Sequence, residues 1–301
     1  MDADLAADLT YGPRSCRLAM APPTGPGEIA YLDFGPADRA PDLVFLHANG
    51  FNARAYRTIL APLAGALRIL APDQRGHGAT TLAIDRPRIS WLDLKDDLLA
   101  FLDATQIERV ALAGHSMGGT VSLLAAAETP ARVRALALLD PVIRSPGATS
   151  PVSREAMLAS PMIAGAMRRR RSFSSRATAV VGYHGRGAFR TWTDAMLADY
   201  AAAGFRDMPD GTVELACTPE WEVSNYLNQD HDSWGAFARS ICPIHILRAE
   251  LDSPGRIDGH TDELTASGRI RIDTIPGTTH FLPMERPELV REALREAVRA
   301  P

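Results

Sequence analysis

A single lysine, Lys95, stands among the 32 basic residues of this 301-residue chain. Its setting, LDLKDDLLAFL, reads as the solvated face of a helix, so a desolvated amine for Schiff-base chemistry has no candidate. Cysteine is almost as scarce. Cys16, Cys217 and Cys242 are too few and too scattered for a disulfide framework or a zinc cluster, and they are expected to be packing residues in a reducing compartment. No run of about 18 apolar residues is present, so no membrane-spanning helix is expected. The opening MDADLAADLT carries acids where a signal peptide carries bases, which gives a cytoplasmic expectation. With a net charge of -4, the chain has no surplus of positive charge to favour nucleic acid or an anionic membrane. There is no H-E-x-x-H, no cysteine cluster and no G-x-G-x-x-G after a strand, so no metal or organic cofactor is expected. The expected partner is a small molecule. What the chain does have is a 46% hydrophobic, 23% charged balance, enough for one large core.

That apolar material is arranged in an alternating order. RLAMA, EIAYLDFG, DLVFLHA, RILAPD, RVALAGHS and RALALLDPV read as strands, and the later ones are nearly continuous in apolar residues, as strands buried on both faces of a parallel sheet are. Between them AYRTILAPLAGAL, SWLDLKDDLLAFLDAT and MGGTVSLLAAAETP read as helices. Strand then helix, repeated, predicts an α/β fold with a parallel sheet. From about Ser145 to Ser240 the pattern changes to helices without strands; IHILRAE and RIRIDTIPG then restore the strands before a closing helix, PELVREALREAVRA. The expected organisation is a core of residues 1–144 and 241–301 interrupted by a helical insertion over 145–240. Within the insertion the run MRRRRSFSSR, with Arg168 to Arg171, reads as a solvated helix end; recognition of a substrate carboxylate or phosphate is the other reading.

The stretch GHSMG puts Ser116 between an apolar strand and a helix, in the G-x-S-x-G form of a nucleophile elbow. A serine hydroxyl needs a base to become nucleophilic. His280, in the loop after the last strand, lies at the carboxyl edge of the sheet, where reacting groups of open α/β sheets collect. His47 and His77 belong to glycine-containing loops and are expected to organise them; His115 neighbours Ser116, but adjacent side chains on such a turn diverge. The base in turn needs an acid to fix its tautomer. Asp252, after the seventh strand, is the leading choice, with Asp140, at the end of the sixth, as the alternative.

The order Ser116, Asp252, His280, with FLHANGF and PDQRGHGATT upstream, resembles the α/β-hydrolase family over essentially the whole chain. The resemblance implies a mostly parallel eight-stranded sheet flanked by helices, with the insertion as a helical cap whose Trp192, Trp221, Tyr226 and Trp234 are candidates for pocket lining. It also implies an oxyanion hole from the backbone N–H groups of Asn49 and Met117, although Ala48 stands where that family commonly has glycine. Arg75-Gly76-His77-Gly78 resembles a structural loop of the family. Relatives with epoxide hydrolase or dehalogenase activity carry aspartate at the elbow, so Ser116 points to acyl transfer. The expected activity is hydrolysis of a carboxylic ester, including a lactone or thioester; C–C bond hydrolysis or acyl transfer to another acceptor would use the same residues, and a non-catalytic binding protein is the reading from another class.

Overall fold

Continuous apolar runs become the inner strands. The computed structural model describes residues 12–300 apart from 23, 85–89, 145, 147–153 and 230. In chain order the strands of the first half are β1 (Arg14–Ala19), β2 (Glu28–Phe34), β3 (Leu43–Leu46), β4 (Ile69–Pro72), β5 (Val110–His115) and β6 (Val133–Leu139). Every residue of β3, β4 and β5 is buried, whereas β1 alternates between half-buried and exposed as an edge strand should. Helix α1 (Trp91–Ala104) starts at a capping box in which Ser90 and Asp93 bond each other's backbone N–H groups. Helix α2 (Met117–Glu128) follows β5 directly and is buried from Met117 to Ala126.

With β10 (Ile244–Ala249) and β11 (Ile270–Ile275) the sheet has eight strands in the order β1-β2-β4-β3-β5-β6-β10-β11. Only β2 runs against the rest, because its pairings with β1 and β4 are antiparallel and all the others are parallel. The two-residue period of the strands divides the core. Val44, Leu46, Val110 and Leu112 face α1 and α2, while Leu43, Phe45, Ala111 and Ala113 face the closing helix α8 (Pro287–Arg299), which buries Val290, Ala293, Leu294 and Ala297 at helical spacing.

Between β6 and β10 lies the insertion: α3 (Pro161–Met167), β7 (Ser172–Phe173), α4 (Arg176–Tyr183), α5 (Asp194–Ala203), β8 (Phe205–Asp207), β9 (Val213–Leu215), α6 (Pro219–Leu227) and α7 (Ser233–Arg239). The expectation of helices alone is corrected here, since β7, β9 and β8 form a small antiparallel sheet. Strands of two and three residues are too short to show a period in sequence. Ser145, the expected start of the insertion, lies outside the described residues.

Lys95 also departs from expectation. It is buried, and its ammonium pairs with Asp96 at 2.8 Å and with Glu128, both carboxylates being more than half exposed. Its long stem packs on the core while its charge reaches partners at the surface. The cysteines are free, Cys217 and Cys242 being buried. Among the described residues no helix is long and apolar enough to cross a membrane.

Candidate active site

The turn from β5 into α2 explains its own glycines. A Cβ on Gly114 would lie 2.4 Å from the carbonyl carbon of Gly118, and one on Gly118 would lie 2.4 Å from the Leu46 carbonyl oxygen. Strand, helix and the neighbouring β3 loop thus approach more closely than any side chain allows. Ser116 occupies the apex at φ 55° and ψ −119°, a conformation costing on the order of 1–3 kcal/mol for a residue with a Cβ. Its N–H is held by the Leu139 carbonyl at 3.0 Å, which ties the apex to the end of β6. Met117 is the first residue of α2, so its N–H has no acceptor within the helix.

Ser116 and His280 meet at this apex. The serine Oγ lies 2.9 Å from His280 Nε2, and His280 Nδ1 lies 2.7 Å from Asp140 Oδ2. With Nδ1–H donating to the carboxylate, Nε2 is free to accept the serine proton. Asp140 is fully buried, and its other oxygen accepts from the Ala249 N–H at 2.9 Å and the Ser253 hydroxyl at 2.6 Å. Burial alone would raise this carboxyl, but the hydrogen bond and charge of His280, with help from Ser253 and Ala249, hold it below its usual range.

Asp252, the leading sequence choice, does not occupy this position. It is exposed, and among the described residues no hydrogen bond joins it to His280. The reason is the strand order: β6, which Asp140 directly follows, lies beside the elbow strand β5, whereas β10 lies one strand farther out. The loop after β10 reaches the site through Ser253, which bonds Asp140.

His47 and His77 organise loops. His47 Nε2 accepts the Gln74 N–H at 2.9 Å and its Nδ1–H donates to the Ala48 carbonyl at 2.8 Å; His77 Nε2 accepts the Gly50 N–H at 3.0 Å and its Nδ1–H donates to the Arg75 carbonyl. Both rings are neutral in these roles, burial pushing His47 well below its ordinary value and His77 down to about 4. In the Arg75–Gly78 loop, Arg75 is buried against Asp97 and the carbonyls of Thr24 and Ala83, in keeping with a structural task.

Asn49 is tied to the insertion by its side chain. Its Nδ2 donates to the Glu222 carbonyl and its Oδ1 accepts from Asn225 Nδ2, both at 2.9 Å and both on α6. On either side of it, the Ala48 N–H goes to Tyr56 Oη and the Gly50 N–H to His77. Sequence reasoning misses this use of Asn225, as it misses Tyr56 and Ser253, because no local pattern marks a residue whose partner is distant in the chain.

The four insertion aromatics diverge. Trp192 stands edge-on to Phe51 with ring centres 5.2 Å apart, and Phe51 in turn stacks on Phe281, next to His280. Trp221 donates to the Arg75 carbonyl at 3.0 Å and closes over Gly76. Tyr226 reaches Glu222, and Trp234 packs against Phe237 and His260. Of the arginine run, Arg169 is largely buried on Glu222 and Tyr200, Arg170 lies 4.6 Å over the Phe173 ring, and Arg171 pairs with Glu220. These three are used to bind the insertion together.

The chain is similar to the dihydrolipoyllysine-residue acetyltransferase component of the acetoin cleaving system of Pseudomonas putida, 33% identical over 46% of this chain and 35% of that one. It is also similar to the 2-hydroxymuconate semialdehyde hydrolase of Pseudomonas sp. (strain CF600), 33% identical over 37% of this chain and 38% of that one. The matched stretches thus span little more than a third of these relatives' own lengths. The solved structure of E-2-(acetamidomethylene)succinate hydrolase has the same fold, with a TM-score of 0.74 at 20% identity over 96% of this chain and 100% of that one. The model of the alpha/beta hydrolase family matches residues 43–293. On this match, the eight-stranded sheet and the elbow at Ser116, the chain belongs to the α/β-hydrolase family.

Proposed function

We propose that the protein is a serine hydrolase that cleaves a carboxylic ester through an acyl-enzyme on Ser116. The observation that carries this reading is the hydrogen-bonded chain from Ser116 Oγ through His280 to buried Asp140 at the carboxyl edge of the sheet. His280 Nε2 takes the serine proton as Oγ attacks the acyl carbon, then passes it to the leaving alkoxide; water then attacks the acyl-enzyme by the same proton exchange to release the acid. Asp140 orients the ring and balances the imidazolium that forms. The backbone N–H groups of Met117, at the start of α2, and Asn49 hold the tetrahedral oxyanion, each worth on the order of 3 kcal/mol.

Hydrolysis of a C–C bond beside a ketone is the second reading, favoured by the similarity to a hydrolase named for 2-hydroxymuconate semialdehyde. A series of p-nitrophenyl esters of increasing acyl length, assayed beside a vinylogous diketone, separates the two. Turnover of short esters that disappears in Ser116→Ala is the expected result. Cleavage of the diketone with no ester turnover would move the reaction to the C–C bond.

A further inference from the structure

His115 is placed by sequence beside the nucleophile and by structure under the base. Its Nε2 lies 2.7 Å from the His280 carbonyl oxygen and its Nδ1 lies 2.7 Å from Tyr56 Oη. A carbonyl only accepts, so Nε2 carries the proton and Nδ1 receives the tyrosine hydroxyl. That leaves the Tyr56 oxygen free to accept the Ala48 N–H, which it does at 3.2 Å. The chain Ala48 N–H to Tyr56 O–H to His115 Nδ1, and His115 Nε2–H to the His280 carbonyl, therefore has every proton assigned. Tyr56 and His115 are both fully buried, so no water competes for these groups. The chain begins on the residue before Asn49 and ends on the backbone of the base. It spans two loops that no shared element joins, one after β3 and one after β11.

We infer that Tyr56 and His115 are positioning residues that fix the oxyanion loop against the catalytic histidine. The inference rests on the serine-hydrolase reading above. Reversal of any one bond would require a second buried group to lose its partner, so the chain has one stable arrangement. Burial pushes His115 down to about 3, which keeps this ring neutral at neutral pH.

The test removes only the tyrosine oxygen. Tyr56→Phe keeps the ring that packs on Phe45 at 4.8 Å but deprives both Ala48 N–H and His115 Nδ1 of a partner. Its kcat on a p-nitrophenyl ester should fall by about tenfold or more with KM nearly unchanged, since an ångström-scale misplacement acts in the transition state. Affinity for a boronic acid that adds to Ser116 should fall by the same factor. Ring nitrogen chemical shifts of His115 should report loss of the hydrogen bond at Nδ1 while the proton stays on Nε2, held by the His280 carbonyl. His115→Asn is the second variant, retaining an acceptor for Tyr56 while being too short to reach the His280 carbonyl, and should show the same kcat-selective loss. If folded Tyr56→Phe or His115→Asn keeps kcat and boronate affinity within about twofold, the positioning role is wrong while the hydrolase reading stands. A native protein that turns over no ester and binds no boronate overturns both.

Discussion

Asp140→Asn is the most informative single change, because the structure dictates which way the new amide must point. Asp140 Oδ1 accepts from both the Ala249 N–H and the Ser253 hydroxyl, so the carbonyl oxygen of the introduced amide has to stay on that side. Its NH2 then faces His280 Nδ1. Two donors cannot face each other, and the ring relieves the conflict by moving its proton to Nε2, where it meets Ser116 Oγ and can no longer accept the serine proton. The expected loss is about four orders of magnitude in kcat, on the order of 5 kcal/mol of barrier, as for the wrong tautomer in the Ser-His-Asp triad of serine proteases. Folding should suffer far less: the substitution is isosteric, keeps both hydrogen bonds at the carbonyl oxygen and loses one charge-assisted partner, which costs about 1–3 kcal/mol. Asp252→Asn, at an exposed position, should leave the rate within about twofold. Steady-state rates of the two variants on one ester, with circular dichroism melts to confirm folding, decide the matter. A loss below about tenfold in folded Asp140→Asn, or a severe loss in Asp252→Asn, would refute the reasoning.

Acid should destabilise the fold steeply. His47 is held well below the ordinary histidine value, His77 and His231 at about 4 and His115 at about 3, in each case chiefly by burial, so the unfolded chain binds protons near pH 6.5 that the native chain refuses. Stability is therefore complete above about pH 6.5 and falls as pH drops; between about pH 6.5 and 5.5 each ring removes about 1 kcal/mol. Asp73, raised to about 6 by burial, works the other way and returns somewhat less than about 1 kcal/mol over that interval. Urea unfolding should thus show a net loss of about 3 kcal/mol between the two pH values, and a flat profile would contradict the assignment of neutral buried rings. Gly118→Ala places a methyl group 2.4 Å from the Leu46 carbonyl oxygen and 2.6 Å from that of His47. It should cost about 3 kcal/mol or more, read as a drop in Tm, and a native Tm would show that the elbow is looser than described. Asn225→Ala deprives Asn49 Oδ1 of its donor and should lower kcat about fivefold through the oxyanion loop, checked by steady-state kinetics; an unchanged kcat would mean that the loop holds without α6.

The parts of the site that are legible in sequence are those written in a local pattern. Ser116 carries a strand, two glycines and a helix with it, and His280 follows the last strand in a single loop. The acid is not legible in this way because two aspartates follow two successive core strands, and only lateral strand order tells which one is next to the elbow. The sequence does hold a hint: Asp140 directly follows a strand whose apolar residues are all buried, where a carboxylate without a partner would be costly, while Asp252 precedes the turn-forming SPGR. The small sheet of the insertion is hidden by the shortness of its strands. Lys95 reads wrongly because it stands among acids, and helical position alone does not tell which way a long stem lies.

Whether Ser116 is an activated nucleophile is tested most directly by incubating the native protein with a fluorophosphonate and mapping the adduct by peptide mass spectrometry. One adduct per chain is expected, on Ser116, with loss of ester turnover in proportion to labelling, and none in His280→Ala over the same time. An unlabelled Ser116 in folded protein, or an adduct on another residue that accompanies the loss of activity, would contradict it.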